Sequence, residues 1–126
     1  MKEQKQITKA EMLIMDALWS LSAQGVGSAD IMQALPDPKP AITTLLTHLK
    51  ILTEKGFVET EKHGKLLSFK PLISREAYTR RFMKDVKNTF FGGSPLSLLS
   101  FFVHEEKLTN EQLDELEEII RRKKQL

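Results

Sequence analysis

Apolar residues recur along the first part of the chain at three- and four-residue steps, and that period predicts helices. Met12, Met15, Leu18 and Trp19 fall on one face of a helix over about residues 9–22. Thr8-Lys-Ala-Glu11 ahead of it has capping-box spacing, in which a hydroxyl and a carboxylate satisfy two free helix N–H groups. A second, shorter helix is expected from a Ser28 cap, with Ile31 and Leu35 inward and Pro36 at its end. Pro36-Asp-Pro-Lys-Pro40 reads as a stiff loop, since each proline fixes φ and removes a donor. A third helix is expected from Pro40, a residue suited to a first turn. Its inner stripe is Leu45, Leu49 and Leu52, and Thr43, Thr44, Leu46, Thr47 and Lys50 fall on the remaining surface. Gly56 is its stop.

The period then changes to two. Residues 57–62 and 65–70 alternate about His63-Gly64 and read as a β-hairpin that Pro71 ends. Helical spacing returns after a Ser74 cap, where Tyr78, Phe82, Val86 and Phe90 stand at strict steps of four and read as a core stripe. Gly92-Gly93 breaks that helix. Leu96–Val103 is apolar at six of eight positions, and a helix apolar nearly all round has to be buried nearly all round. Thr109 and Gln112 open a last helix with a second capping box, and Leu113, Leu116 and Ile120 form its stripe.

Helix, helix, helix, hairpin is the order of a winged helix. There the helix before the hairpin enters the DNA major groove and the hairpin tip reaches the flanking backbone. The expected fold is therefore mainly α with a small β-hairpin: an N-terminal winged helix-turn-helix over residues 1–73 and a C-terminal helical dimerisation domain over 74–126. Three short helices cannot bury the apolar surface of 74–126 by themselves. A second copy of the chain can, across Tyr78, Phe82, Leu96, Leu99, Phe102, Val103, Leu113, Leu116 and Ile120.

Charge sharpens this picture. The formal net charge is only +2 over 126 residues, but its distribution is uneven. Residues 39–70 carry six lysines against three glutamates, and 75–87 carry five basic groups against two acidic ones. Residues 105–118 carry seven acidic groups against Lys107 alone. The expected DNA-binding residues are Thr43, Thr44, Thr47 and Lys50 on the third helix and Lys62, His63 and Lys65 at the hairpin tip. Considered apart from their place in a motif, both groups read equally well as a solvated helix face and an ordinary polar turn. Arg80, Arg81, Lys84 and Lys87 are expected to face solvent or meet the acidic stretch, in pairs that each stabilise little.

Other chemistry is thinly represented. With no cysteine, disulfides, thiol catalysis and thiolate metal sites are excluded. His48, His63 and His104 have no paired-ligand spacing, so neither a metal nor another cofactor is expected. No phosphate-cradling glycine loop, G-x-S-x-G or H-E-x-x-H occurs, and no catalytic residue is assigned. No apolar run is long enough to span a membrane, the opening residues have no apolar signal core, and a cytoplasmic protein with no membrane partner is expected. Two rival readings stay open: a winged helix that docks a protein partner, and a ligand-sensing winged-helix regulator.

Several segments resemble those of one family. They are Thr8-Lys-Ala-Glu11 with Met15 and Trp19, Thr44-Leu-Leu-Thr47, Leu52-Thr-Glu-Lys-Gly-Phe-Val58, Phe91-Gly-Gly, Leu98, Leu99, Phe102-Val103, and Leu108-Thr-Asn-Glu-Gln-Leu-Asp-Glu-Leu116. The ordered set, from about residue 7 to 124, resembles the penicillinase repressor family of winged-helix regulators. The resemblance implies a homodimeric repressor that occupies a palindromic operator in double-stranded DNA and leaves it on an inducing signal. In members tied to antibiotic resistance, a membrane sensor drives proteolytic cleavage in the dimerisation domain, so a regulatory protease is an implied partner. The corresponding segment here is Ser100-Phe-Phe-Val103, with Phe101-Phe102 where the family's best-known cut joins Asn to Phe. The copper-responsive branch uses C-terminal cysteines, which this chain lacks. Leu46 and Ile51 stand where some members have Arg, so no operator sequence carries over.

Overall fold

The computed structural model describes residues 6–21 and 24–125. Its elements are α1 (Lys9–Ser20), α2 (Ser28–Ala34), α3 (Ile42–Glu54), β1 (Val58–His63), β2 (Leu66–Pro71), α4 (Arg75–Phe90), α5 (Pro95–Glu105) and α6 (Asn110–Lys124). The mainly helical fold with one hairpin is as expected. The chain divides into two compact units after Thr79, inside α4.

The first unit owes its core to the stripes read from the sequence. Met15 and Leu18 of α1, Ile31 of α2, and Leu45, Leu49 and Leu52 of α3 are fully buried. Ile14 and Ala17 join them, so α1 buries a wider arc than the expected stripe, and Met12 and Trp19 sit half-buried at its edge. The Thr8 capping box is formed, with Thr8 Oγ1 accepting from the Glu11 amide at 3.2 Å and Glu11 Oε1 accepting from the Thr8 amide at 3.0 Å. The last turn expected for α1, at residue 22, lies outside the described residues.

Two helix starts differ from expectation. Gly27, not Ser28, precedes α2, because this phase puts Asp30 in the third helical position, where its carboxylate accepts from the Gly27 amide at 3.3 Å. With Ser28 as cap that position would hold Ile31, which cannot return a bond. α3 starts at Ile42 behind an Ala41 cap, two residues later than the start expected at Pro40, and the first helical bond runs from the Leu45 amide to the Ala41 carbonyl at 3.0 Å. The end of α3 is a Schellman motif: the Gly56 amide donates to Thr53 and the Phe57 amide to Leu52, with Gly56 at φ 87°. That left-handed residue turns the chain directly into β1.

In the hairpin, Val58 pairs with Pro71, Thr60 with Phe69, Lys62 with Leu67 and His63 with Leu66. The two turn residues are therefore Gly64 and Lys65, one step beyond the expected His63-Gly64. Gly64 has φ 66° and occupies the first turn position, where a two-residue hairpin of type II′ needs a positive φ. Val26 adds a short bridge to the outer side of β2, exchanging both backbone hydrogen bonds with Phe69 at 2.8 and 3.0 Å. Nothing in the period of the sequence marks that bridge.

Tyr78 closes the first unit's core. It is buried, lies edge-on to Phe57 with ring centroids 5.8 Å apart, and sits 6.2 Å from the Trp19 ring. Trp19 Nε1 donates to the Ile73 carbonyl at 2.9 Å. Tyr78 thus packs in the winged-helix core. The rest of its stripe is not core within one chain. Val86 is half-buried, and Phe82 and Phe90 are 43% and 74% exposed, because the first unit's core ends before the stripe does.

The second unit holds the remainder of α4 with α5 and α6. Ser94 caps α5 by accepting from the Ser97 amide, and Thr109 and Gln112 form the expected box before α6. Among its described residues none is buried, and the apolar helix expected to be enclosed leaves Leu96 74% exposed, with Leu99, Phe101 and Phe102 exposed as well.

Candidate nucleic-acid interface

Helix α3 turns Leu45, Leu49 and Leu52 into the core, so its opposite side must face out. Thr43, Thr44, Thr47 and Lys50 are all exposed there, as expected. Thr47 Oγ1 donates to the Thr43 carbonyl at 2.9 Å, which engages its proton within the helix and leaves its methyl group and lone pairs outward. Ile42 and Leu46 are exposed on the flank of α3. Leu46 lines a groove of about 420 Å³ with Lys50, Thr53, Glu54, Thr60, Leu67 and Phe69. Its floor is tied: Thr53 Oγ1 donates to the Leu49 carbonyl at 2.7 Å and shares a 2.8 Å hydrogen bond with Thr60 Oγ1.

The six lysines of residues 39–70 separate into two groups of three. Lys39 Nζ donates to the carbonyls of Met32, Gln33 and Leu35 and so satisfies the free end of α2. Lys55 Nζ lies 2.7 Å from Glu11 Oε1 and also donates to the Gln6 carbonyl. Lys70 pairs with Glu59 at 3.1 Å. Lys50, Lys62 and Lys65 have no hydrogen-bond or ion-pair partner among the described residues. The fold thus engages three lysines and leaves uncommitted the three that stand on α3 and at the hairpin tip.

Register divides the expected hairpin residues between two faces. Residues two apart share a face, so Lys62 stands with Thr60, and with their partners Leu67 and Phe69, on the face that lines the α3 groove. His63 stands on the other face with Glu59 and Glu61, and its Nε2 is 3.4 Å from Glu61 Oε2. His63 is therefore separated from Lys62 and Lys50 and set beside acidic groups. Lys65 sits in the turn itself.

Among the described residues, Glu11 is the one charged residue that is buried. Burial pushes its carboxyl up, but the hydrogen bond from Lys55, the Thr8 amide and the Lys55 charge outweigh burial and hold it below the ordinary value of 4.5. It fastens α1 to the C-terminal end of α3. The sequence shows Glu11 as a capping residue but gives no sign of its second partner, 44 positions away.

Among the described residues no group of His, Asp and Glu could hold a metal. His48 is half-buried on α3, and His104 Nδ1 bonds to the Ser100 carbonyl at 2.8 Å. Of the remaining residues assigned to the dimer face, Phe82, Leu96, Leu99, Phe102 and Ile120 are exposed, while Val103, Leu113 and Leu116 are half-buried. Phe101 and Phe102 lie within α5, their rings 6.1 Å apart, and Phe91 meets Phe101 at 5.5 Å.

A helix that turns its outer side away from a three-helix core, followed by a hairpin with free lysines, is the working end of a winged-helix DNA-binding protein. Residues 7–122 match the penicillinase repressor family, and the chain belongs to that family of transcriptional repressors. It is 29% identical over 121 residues to the methicillin resistance regulatory protein MecI of Staphylococcus aureus strain N315, covering 94% of this chain and 95% of that one. It is 26% identical to the penicillinase repressor of Bacillus licheniformis, covering 95% and 93%. The solution structure of the DNA binding domain of the repressor BlaI superposes with a TM-score of 0.51 at 26% identity, covering 62% of this chain and 94% of that domain. No helix among the described residues is long and apolar enough to cross a membrane.

Proposed function

We propose that the chain acts as a homodimeric repressor that occupies a palindromic operator, with α3 in the major groove of each half-site and the hairpin tip on the flanking backbone. The observation that carries this reading is the set of uncommitted lysines, Lys50, Lys62 and Lys65, beside the exposed threonines of α3. Phosphate contacts of this kind fix position and orientation, and base contacts then select sequence. Two linked heads bind far more tightly than one, so an inducing signal that separates the protomers would clear the promoter. Proteolysis at Phe101-Phe102 is one such signal, and because that pair is helical, a protease would need α5 to unwind before it could cut.

The test is titration of the full-length protein against DNA from upstream of its own gene, with scrambled competitor, at two salt concentrations. Competitor-resistant binding that weakens steeply with salt is expected. Lys50→Ala and Lys62→Ala should each weaken binding to all sequences alike and lower the salt slope by about two, one phosphate contact per protomer. His63→Ala should leave the slope nearly unchanged, since His63 lies on the opposite hairpin face beside Glu61. Failure to bind any genomic fragment would transfer the assignment to a winged helix that docks a protein partner.

A further inference from the structure

Apart from Lys50, the outer face of α3 lacks the side chains that read bases by paired hydrogen bonds. Two-point recognition takes Arg or Lys for guanine and Asn or Gln for adenine. Residues 42–54 contain no Arg, Asn, Gln or Asp, and Lys50 is the only cation among them. What the face does offer is methyl groups. Ile42 and Leu46, one turn apart, are 47% and 39% exposed. Thr43 lies beside them, and Thr47 has its proton engaged on the Thr43 carbonyl, so its methyl is part of what it presents. Leu46 continues this apolar strip into the groove walled by Leu67, with Lys50 at its edge and Lys62 on the same hairpin face as Leu67.

We propose that α3 selects its half-site by apolar contact with thymine C5-methyl groups, with Leu46 as the principal reader and Ile42 and the threonine methyls in support. The proposal deepens the DNA-binding reading and rests on it. Recognition helices reach base edges with their N-terminal residues, the part of α3 that holds Ile42, Thr43 and Leu46. The thymine methyl is the one apolar group that a base pair displays in the major groove. Lys50 and Lys62 would hold phosphates beside it and set the depth of the helix.

The full-length protein should be used to select duplexes from a random-sequence library, and each fixed thymine of the selected half-site then replaced by uracil, which removes only the methyl. Fixed thymines are expected, with one or two positions at which uracil weakens binding about fourfold, the cost of exposing one buried methyl-sized group. Leu46→Ala should bind thymine and uracil versions equally at that position while keeping the salt slope of the parent. Leu46→Arg should move the selection from thymine to guanine there. Selected duplexes that bind equally with uracil at every position would overturn the proposal while leaving DNA binding intact. A library from which nothing is enriched would overturn the DNA-binding reading, and the thymine proposal with it.

Discussion

Glu11 and Lys55 show how one pair can serve stability without touching the interface. Their side chains are 3% and 14% exposed, and Glu11 also receives the Thr8 amide that opens α1. Removing only the cation would leave a nearly buried carboxylate without its counter-charge, a change that costs several kcal/mol. Lys55→Met should therefore lower the unfolding free energy in urea at pH 7 by about 3 kcal/mol. The pH dependence has a fixed sign. The Glu11 carboxyl lies lower folded than unfolded, so its contribution is complete above 4.5 and is lost as pH falls below that value through the folded one. Urea midpoints measured between pH 6 and pH 3 should fall in the parent, and Lys55→Met should lose much of that dependence. Equal slopes in the two proteins would mean that the pair is not what holds Glu11 ionised.

Elements were legible in this sequence wherever one period ran long enough to fix a face. In α3 the leucines at 45, 49 and 52 determine which side is buried, and Thr43, Thr44, Thr47 and Lys50 follow as the exposed side by geometry alone. The hairpin was legible as an element but not in its faces. Moving the turn from His63-Gly64 to Gly64-Lys65 decides which strand residues oppose one another, and with it how Lys62 and His63 are presented. Tyr78 shows a different limit. A step of four ties it to Phe82, Val86 and Phe90, but periodicity does not say where along a helix one core stops. Nor does it reveal which lysines the fold will engage, since the partners of Lys39 and Lys55 are assembled by tertiary structure. The turn itself can be tested. Gly64 holds φ 66°, so Gly64→Ala should cost about 1 kcal/mol of stability, and Gly64→Asn less because Asn tolerates that region. If the two variants unfold at the same denaturant concentration as the parent, the turn does not depend on a left-handed residue.

At the scale of the whole molecule, the two units differ in how far a single chain completes them. The winged-helix unit buries side chains from all its elements, whereas no described residue of the second unit is buried, although Phe82, Phe90, Leu96, Leu99, Phe101, Phe102, Ile119 and Ile120 are all exposed there. An apolar surface of that kind on a folded chain calls for a partner. In the proposed homodimer a second copy would meet the requirement with one self-complementary interface and would place two α3 helices about a two-fold axis, the symmetry of a palindromic site. A charge on that surface must then act at a distance. Leu99→Glu or Phe102→Glu would bury a carboxylate against its symmetry mate, which is prohibitive for association but harmless to the first unit's core. Sedimentation should show these variants as monomers with unchanged helix content. Their operator affinity should fall by at least about a hundredfold, since the gain from linking two heads is lost. Each monomer should keep the Lys50-dependent salt slope of a single head. A variant that remains dimeric would place the interface elsewhere on the second unit. One that becomes monomeric yet binds operator as tightly as the parent would show that repression does not depend on coupling the two heads.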